Sequence, residues 1–398
     1  MKKQVGMKAP QIRVRGFTDA WQEKTIGKIL SEANRSVILE DNEQYELITV
    51  KRRNEGVVSR GFLFGRDILV KNYYQLEEGD FVISKRQVVH GATGIVPPEL
   101  GKAIVSNEYL VVTGNSEISS DFLNIISSLS DMKRKFFLSS YGVDIEKLFF
   151  DTEDWKKRAV TIPTLSEQKE ITVFFNEINK LIDLSQKKYD KLVTLKQVML
   201  SKMFPQDGAS IPDIRFNGFE GVWIEKQFKN LALRVTKTSS AVELPRLEYE
   251  DIVSSLGVLN KNVYEKKSMK KGIAFEKNDV LFGKLRPYLK NWLLAAFDGI
   301  AVGDFWVLRG IETEPRFLYF LIQTNRFGAV ANQSAGSKMP RSDWNLVSNH
   351  YHLVPSDMSE QRKIGQFFCK LDELIYQHGI KLVKLREIKE ACLSKMFI

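Results

Sequence analysis

Four short stretches of this chain gather side chains suited to contacting a polyanion. Lys51, Arg52 and Arg53 stand together, and Lys85, Arg86, Gln87 and His90 fall within six residues. Further on come Lys284, Arg286, Tyr288 and Lys290, then Gln333, Ser337, Lys338 and Arg341, interleaved with Gly283 and Gly336. Arg and Lys pair with phosphates or a guanine edge, and Gln and Asn pair with adenine. Glycine lets a backbone approach a phosphate closely. The same composition also describes solvated turns, so each stretch is a candidate for DNA contact.

Catalytic chemistry has no comparable footing. The four histidines, His90, His350, His352 and His378, have no Cys or carboxylate partners at ligand spacing, so no metal site is expected. His350 and His352 would share one face of a strand. No GxxxxGK[ST] phosphate loop occurs; Gly94 to Lys102 comes nearest, with the wrong spacing. No GxGxxG follows a strand, and no Asn-Pro-Pro-Tyr-like tetrapeptide appears. Pro212-Asp213 with Glu265, Lys266 and Lys267 makes only a loose nuclease-like pattern. These residues supply no catalytic set, and no cofactor is expected in the chain itself.

The bulk numbers fit a soluble globular protein. Of 398 residues, 43% are hydrophobic and 27% charged, which suits two or more domains, each with its own core. The net charge is +10, with +4 on residues 1–204 and +6 on residues 205–398. Both halves therefore favour a polyanionic partner. No apolar run reaches the roughly 18 residues of a membrane span, and no apolar h-region follows the basic N-terminus. The two cysteines, Cys369 and Cys392, fall in one helical stretch, too far apart for a disulfide. The expected compartment is the cytoplasm, with no membrane partner.

The chain repeats itself. Residues 166–204 and 359–397 are identical at 17 of 39 positions without a gap, at an offset of 193. Pro10–Trp21 (PQIRVRGFTDAW) aligns with Pro212–Trp223 (PDIRFNGFEGVW) at an offset of 202. Between these anchors the match is faint and the offset drifts. Shared ends with divergent middles point to a common scaffold carrying different ligand-facing bodies.

Each 39-residue stretch reads as a long helix, with Ser166 or Ser359 as its N-cap. Apolar residues at 3-4 spacing (Ile171, Phe174, Ile178, Leu181, Leu192, Leu195 and Met199 in the first copy) predict a coiled-coil seam, interrupted at Ser185 and Lys188. The second copy matches with Ile364, Phe367, Leu371, Leu374, Leu385, Ile388 and Cys392. A further stripe, Phe175, Ile182 and Tyr189 beside Phe368, Ile375 and Leu382, exceeds what a helix pair needs and is the candidate face for a protein partner. Gly365 and Gly379 in the second helix each cost up to about 1 kcal/mol relative to Ala.

Short β-like runs such as Phe81-Val-Ile-Ser and Val280-Leu-Phe-Gly mix with short buried helices in the bodies, giving an α+β class. The expected divisions are a first body over 1–165, a helix over 166–204, a second body over 205–357 and a helix over 358–398.

This layout resembles the specificity subunits of type I restriction-modification systems. The motifs are Pro163, Ser166-Glu167-Gln168, Ile171 and Leu200–Phe204, recurring as Pro355, Ser359-Glu360-Gln361, Ile364 and Leu393–Phe397. Trp344 and Gly336-Ser337…Pro340 also look like that family, whereas the first copy departs there, with Gly142–Glu146 and a longer run to Trp155. The resemblance implies two target-recognition domains in circular pseudo-two-fold arrangement, held apart by two antiparallel helices. It implies double-stranded DNA, two modification subunits and restriction subunits as partners. S-adenosylmethionine, ATP and Mg would belong to those partners, and the chain would be non-catalytic. An interaction scaffold that binds no DNA, and a stand-alone enzyme with an unrecognised catalytic set, are the alternatives that the residues leave open.

Overall fold

The structure is a computed structural model that describes residues 9–69, 72–206, 208–266, 268–333 and 339–398. The chain divides into two compact units. One runs to Asp183 and adds Lys384–Ile398; the other is Leu184–Val383. Both divisions fall inside the two long helices, α1 (Leu165–Lys202) and α2 (Met358–Lys395), and not at the helix ends.

The first unit is built on a four-stranded sheet of β1 (Leu30–Glu32), β2 (Phe81–Ser84), β3 (Thr93–Ile95) and β4 (Tyr109–Gly114), in the order β1-β4-β2-β3. The second repeats it with β5 (Ala232–Val235), β6 (Val280–Gly283), β7 (Trp292–Leu294) and β8 (Phe305–Gly310), in the order β5-β8-β6-β7. The register agrees too. Phe81, Val82 and Ile83 face Ile95, Gly94 and Thr93, as Val280, Leu281 and Phe282 face Leu294, Leu293 and Trp292. The hairpins 81–95 and 280–294 therefore correspond without a gap. Strands β2 and β6 are buried along their whole length, which explains their unbroken apolar runs.

Each unit has a second sheet, where the copies differ. The first has a long hairpin, Gln44–Val50 with Val57–Phe64, in a five-stranded sheet. The second has a four-stranded sheet and a separate short hairpin, Ile252–Val253 with Val258–Leu259. Part of the drift in the sequence offsets falls here.

The recurrent motifs have matching jobs. Arg13 holds Glu167 through two nitrogens at 2.8 and 2.7 Å, and Arg215 holds Glu360 at 2.7 and 2.8 Å. Both carboxylates are buried, and these fork pairs raise the pKa of both arginines. Gln168 and Gln361 donate to the carbonyls of Pro163 and Pro355, each at 2.9 Å, and accept from Ser119 and Glu314 N–H, each at 3.0 Å. Inside the first unit Ile12 N–H donates to Lys395 O at 3.0 Å; inside the second Ile214 N–H donates to Lys202 O at 2.9 Å. Each opening motif thus docks on the end of the other repeat's helix, which is the circular arrangement. The expected N-caps shift by a residue or two: Ser166 and Ser359 lie within the first turn, and Asp357 accepts the Ser359 N–H at 2.7 Å.

The seam of both helices is rotated from the expected one. The buried and half-buried line on α1 is Ile171, Phe175, Ile178, Ile182, Ser185, Tyr189, Leu192, Lys196 and Met199. On α2 it is Ile364, Phe368, Leu371, Ile375, His378, Leu382, Leu385, Lys389 and Cys392, at the constant offset of 193. Phe175 is 1% and Phe368 0% exposed, whereas Phe174, Leu181 and Leu195 are 38%, 45% and 40% exposed. The stripe expected to be a surplus partner face, Phe175, Ile182, Tyr189, Phe368, Ile375 and Leu382, is one half of the chain's own heptad seam. Phe174, Leu181 and Leu195 lie outside that seam. Within the second unit the helices run antiparallel: Lys196 Nζ reaches Asp372 at 2.7 Å, and Tyr189 lies against Gly379.

Gly365 earns its place by close approach. A Cβ there would come within 2.6 Å of Arg316 Cβ and 3.0 Å of Phe317 N, where α2 crosses the short helix Pro315–Leu321. Phe175→Ala is expected to cost about 3–5 kcal/mol in chemical denaturation, the range for a buried Phe. Leu181→Ala, at an exposed site of the same helix, should stay within about 0.5 kcal/mol. Equal effects would show that the seam is not the one described.

Candidate nucleic-acid interface

In each unit the structure brings two of the predicted loops together. In the first, the turn 85–92 between β2 and β3 meets the turn 51–56. Arg52 Nε donates to Gln87 Oε1 at 2.8 Å, and Asn54 N–H donates to Gly91 O at 2.7 Å. In the second, the turn 284–291 between β6 and β7 meets the segment reaching Arg341. Leu285 forms an isolated bridge with Arg341, and Arg286 N–H donates to Pro340 O at 2.7 Å. Gln333 is exposed beside that segment; Ser337 and Lys338 lie outside the described residues.

The cations of these loops fall into two groups. Several are already engaged by carboxylates. Arg52 donates to Glu146 at 2.8 Å, and His90 lies 3.5 Å from the same carboxylate. Arg86 pairs with Glu108 at 2.8 Å, which raises its pKa, and lies 4.9 Å from the Phe149 ring centre. Lys284 and Arg341 share Asp304 at 3.5 and 3.1 Å. Lys85 donates to Asn107 O at 2.8 Å, and burial lowers its pKa. Lys51, Arg53, Arg286 and Lys290 form the other group: no ion pair holds them among the described residues, and Tyr288 stands exposed between the last two. These two surfaces suit phosphate and base-edge contact better than proton transfer, because none of their described residues places a base beside a nucleophile.

Sequence reasoning missed the acids Glu146 and Asp304, which no spacing rule links to cations 94 and 20 residues away. It also missed Asn54, Ser254 and Ser255. Asn54 precedes Glu55-Gly56, a combination in which left-handed backbone is common, and that was the available signal.

Among the described residues no cluster of His, Cys, Asp or Glu could hold a metal ion. His350 caps the helix Trp344–Asn349 and does not lie on the expected strand face; its ring nitrogen lies 3.3 Å from that of His352 in the strand Tyr351–Val354. His352 is buried against Phe228 and Phe327.

Residues 19–194 match the family model described as the type I restriction modification DNA specificity domain. A 127-residue stretch is 23% identical to the type I restriction enzyme EcoDI specificity subunit of Escherichia coli, covering 31% of this chain and 28% of that relative's length. The fold matches the type I restriction-modification S subunit of M. genitalium with a TM-score of 0.62, at 12% identity, over 98% of this chain and 99% of that one. A chain from a structure of type I restriction-modification assembly and conformational transition matches at 0.51, with 15% identity, over 95% and 97%. Over its whole length the chain therefore has the α+β fold of type I specificity subunits.

Burial, then the neighbouring His350 and Arg326, push the His352 pKa down to about 3. The unfolded chain binds this proton near pH 6.5 and the folded one does not. The stability it contributes is therefore present above pH 6.5 and falls as pH drops toward 3, by up to about 1.4 kcal/mol per pH unit. Denaturation of wild type and His352→Phe across pH 4–7 checks this: the variant should show a shallower loss. An unchanged slope would assign the acid sensitivity elsewhere.

Proposed function

We propose that this chain is the DNA-recognition subunit of a type I restriction-modification complex, reading an asymmetric, interrupted duplex site with one half per body. The observation that carries the reading is the pair of bodies itself. They share strand order, register and the Arg–Glu and Gln anchors, yet differ in the loops that display their cations. A conserved frame with divergent loops suits two recognition domains of different specificity. The specificity-domain match over the first body and the net positive charge of both halves support it.

In this reading the long helices act as spacer and assembly surface. Half-sites would lie near one helical turn apart, roughly 10 bp. Exposed apolar side chains flanking the seam, Phe174, Leu181 and Leu195 on α1 and Leu374 and Ile388 on α2, suit docking of two modification subunits. S-adenosylmethionine, ATP and Mg belong to the modification and restriction subunits, and the chain itself holds no cofactor. Methylation falls on an adenine flipped from the duplex by the modification subunit. No helix among the described residues is long and apolar enough to cross a membrane, and the complex would work in the cytoplasm.

The test is genome-wide adenine methylation in a host carrying the modification subunit, with and without this chain. One asymmetric, interrupted motif should appear. Replacing residues 222–350 with another body should then change one half-site and leave the other intact. Assembly with the modification subunit but no new motif would favour a scaffold instead, and a change in both half-sites would end the one-body-one-half-site scheme.

A further inference from the structure

The two bodies share a second feature that the recognition reading leaves unused: the same pair of abutting turns, built on left-handed backbone. The turns between β2 and β3 and between β6 and β7 correspond residue by residue at an offset of 199. Gly91 N–H donates to Val88 O at 2.8 Å, and Lys290 N–H donates to Pro287 O at 3.0 Å. Both residues are left-handed, with φ of 74° at Gly91 and 57° at Lys290. Their carbonyls then receive a second turn in the same way, from Asn54 N–H at 2.7 Å and from Ser255 N–H at 2.9 Å. Asn54 and Ser255 are left-handed as well, at 58° and 68°.

Glycine adopts this backbone without penalty, whereas a residue with a Cβ is disfavoured in it. The first body shows that glycine satisfies every backbone bond of the turn. The second carries a lysine there all the same, so the fold does not explain that side chain. It is exposed and has no hydrogen-bond or ion-pair partner among the described residues. Four residues earlier, Arg286 replaces Gln87 and is also left-handed, at 49°. Its Nε is shielded from solvent with no hydrogen-bond partner, and no carboxylate pairs with it among the described residues. Strain kept where an unstrained residue would serve marks a side chain retained for contact with something outside the chain.

Resting on the DNA-recognition reading, we propose that this pair of turns is the reading tip of each body. In the second body Lys290 contacts a backbone phosphate and Arg286 a guanine edge. Lysine is a compact charge on a flexible stem, which suits a phosphate. Arg286, its root enclosed, presents a fixed planar fork, which suits bidentate hydrogen bonds to guanine O6 and N7. At the matching positions the first body offers Gln87 and Gly91, with Arg53 from the second turn. The two tips therefore read different bases from frames that share the bonds at Gly91 and Lys290 and part at Gln87, with φ of −128°, and Arg286.

The test uses the assembled complex with modification subunits and a duplex carrying the motif found by methylation sequencing. Lys290→Gly copies the first body's residue. Its Tm should hold or rise, while affinity for specific and non-specific duplex falls together and the log-affinity against log-salt slope drops by about one. The motif should stay the same. Arg286→Gln should alter the methylated motif at a position in one half-site only. Unchanged affinity and slope for Lys290→Gly, or a fall in its Tm with binding intact, removes Lys290 from the assignment; an unchanged motif for Arg286→Gln removes Arg286. Both together overturn the proposal. A wild-type complex that neither binds duplex nor methylates would sink the recognition reading itself, and this assignment with it.

Discussion

Each unit closes around a phenylalanine from the last residues of the other repeat's helix segment. In the first unit Phe397 packs on Trp21, Phe122 and Phe175, all at 6.0 Å between ring centres. In the second, Phe204 packs on Trp223, Phe317 and Phe368 at 5.9, 5.4 and 6.3 Å. Aromatic pairs at these separations add to the area they bury. Each cluster joins an opening tryptophan, a body helix, the start of one long helix and the end of the other. Neither body completes its core without a segment that lies in the other repeat of the sequence, which makes a circular order of the repeats a condition of folding.

That constraint separates what may vary from what must stay. Glu167 and Glu360 need their arginines because a buried carboxylate stripped of its partner is costly. Asp80 and Asp279 hold the strand starts through Arg35 and Arg309, again in both copies. The arginines come from different places, Arg309 from β8 and Arg35 from the loop after β1, yet they serve equivalent carboxylates. The turns beyond β2 and β6 carry no such debt. What the two copies share there is backbone bonds, and the side-chain pairs differ from one copy to the other.

The duplication, the anchors at both ends and the buried strands were legible because each is a local pattern of side-chain type. The rotation of the seam was not. Ile171, Phe174, Phe175, Ile178, Leu181 and Ile182 are all apolar, so lines through 174 and 181 or through 175 and 182 fit equally over two heptads. The later positions point both ways, for Leu195 and Ile388 continue the wrong line where Lys196 and Lys389 sit on the right one. Lys188 and Lys381 interrupt the wrong line, and Tyr189 and Leu382 continue the right one. Charge pairing was the other blind spot. Arg52 and Glu146, or Arg341 and Asp304, meet through tertiary structure, and composition gives no hint that half of the candidate cations are already neutralised.

Neutralised does not mean unavailable. An exposed ion pair such as Arg52–Glu146 is worth at most about 1 kcal/mol, so exchanging Glu146 for a DNA phosphate costs little on the protein side. The carboxylate would then stand near the phosphate and repel it. A pair of this kind penalises non-specific backbone contact more than base contact, where Glu can accept from cytosine N4. Arg53, Arg286 and Lys290, with no ion pair among the described residues, carry no such check. Under the proposed recognition reading, Lys290 would draw the duplex in, Arg286 would read a base, and paired charges such as Arg52 would add to the dependence on sequence.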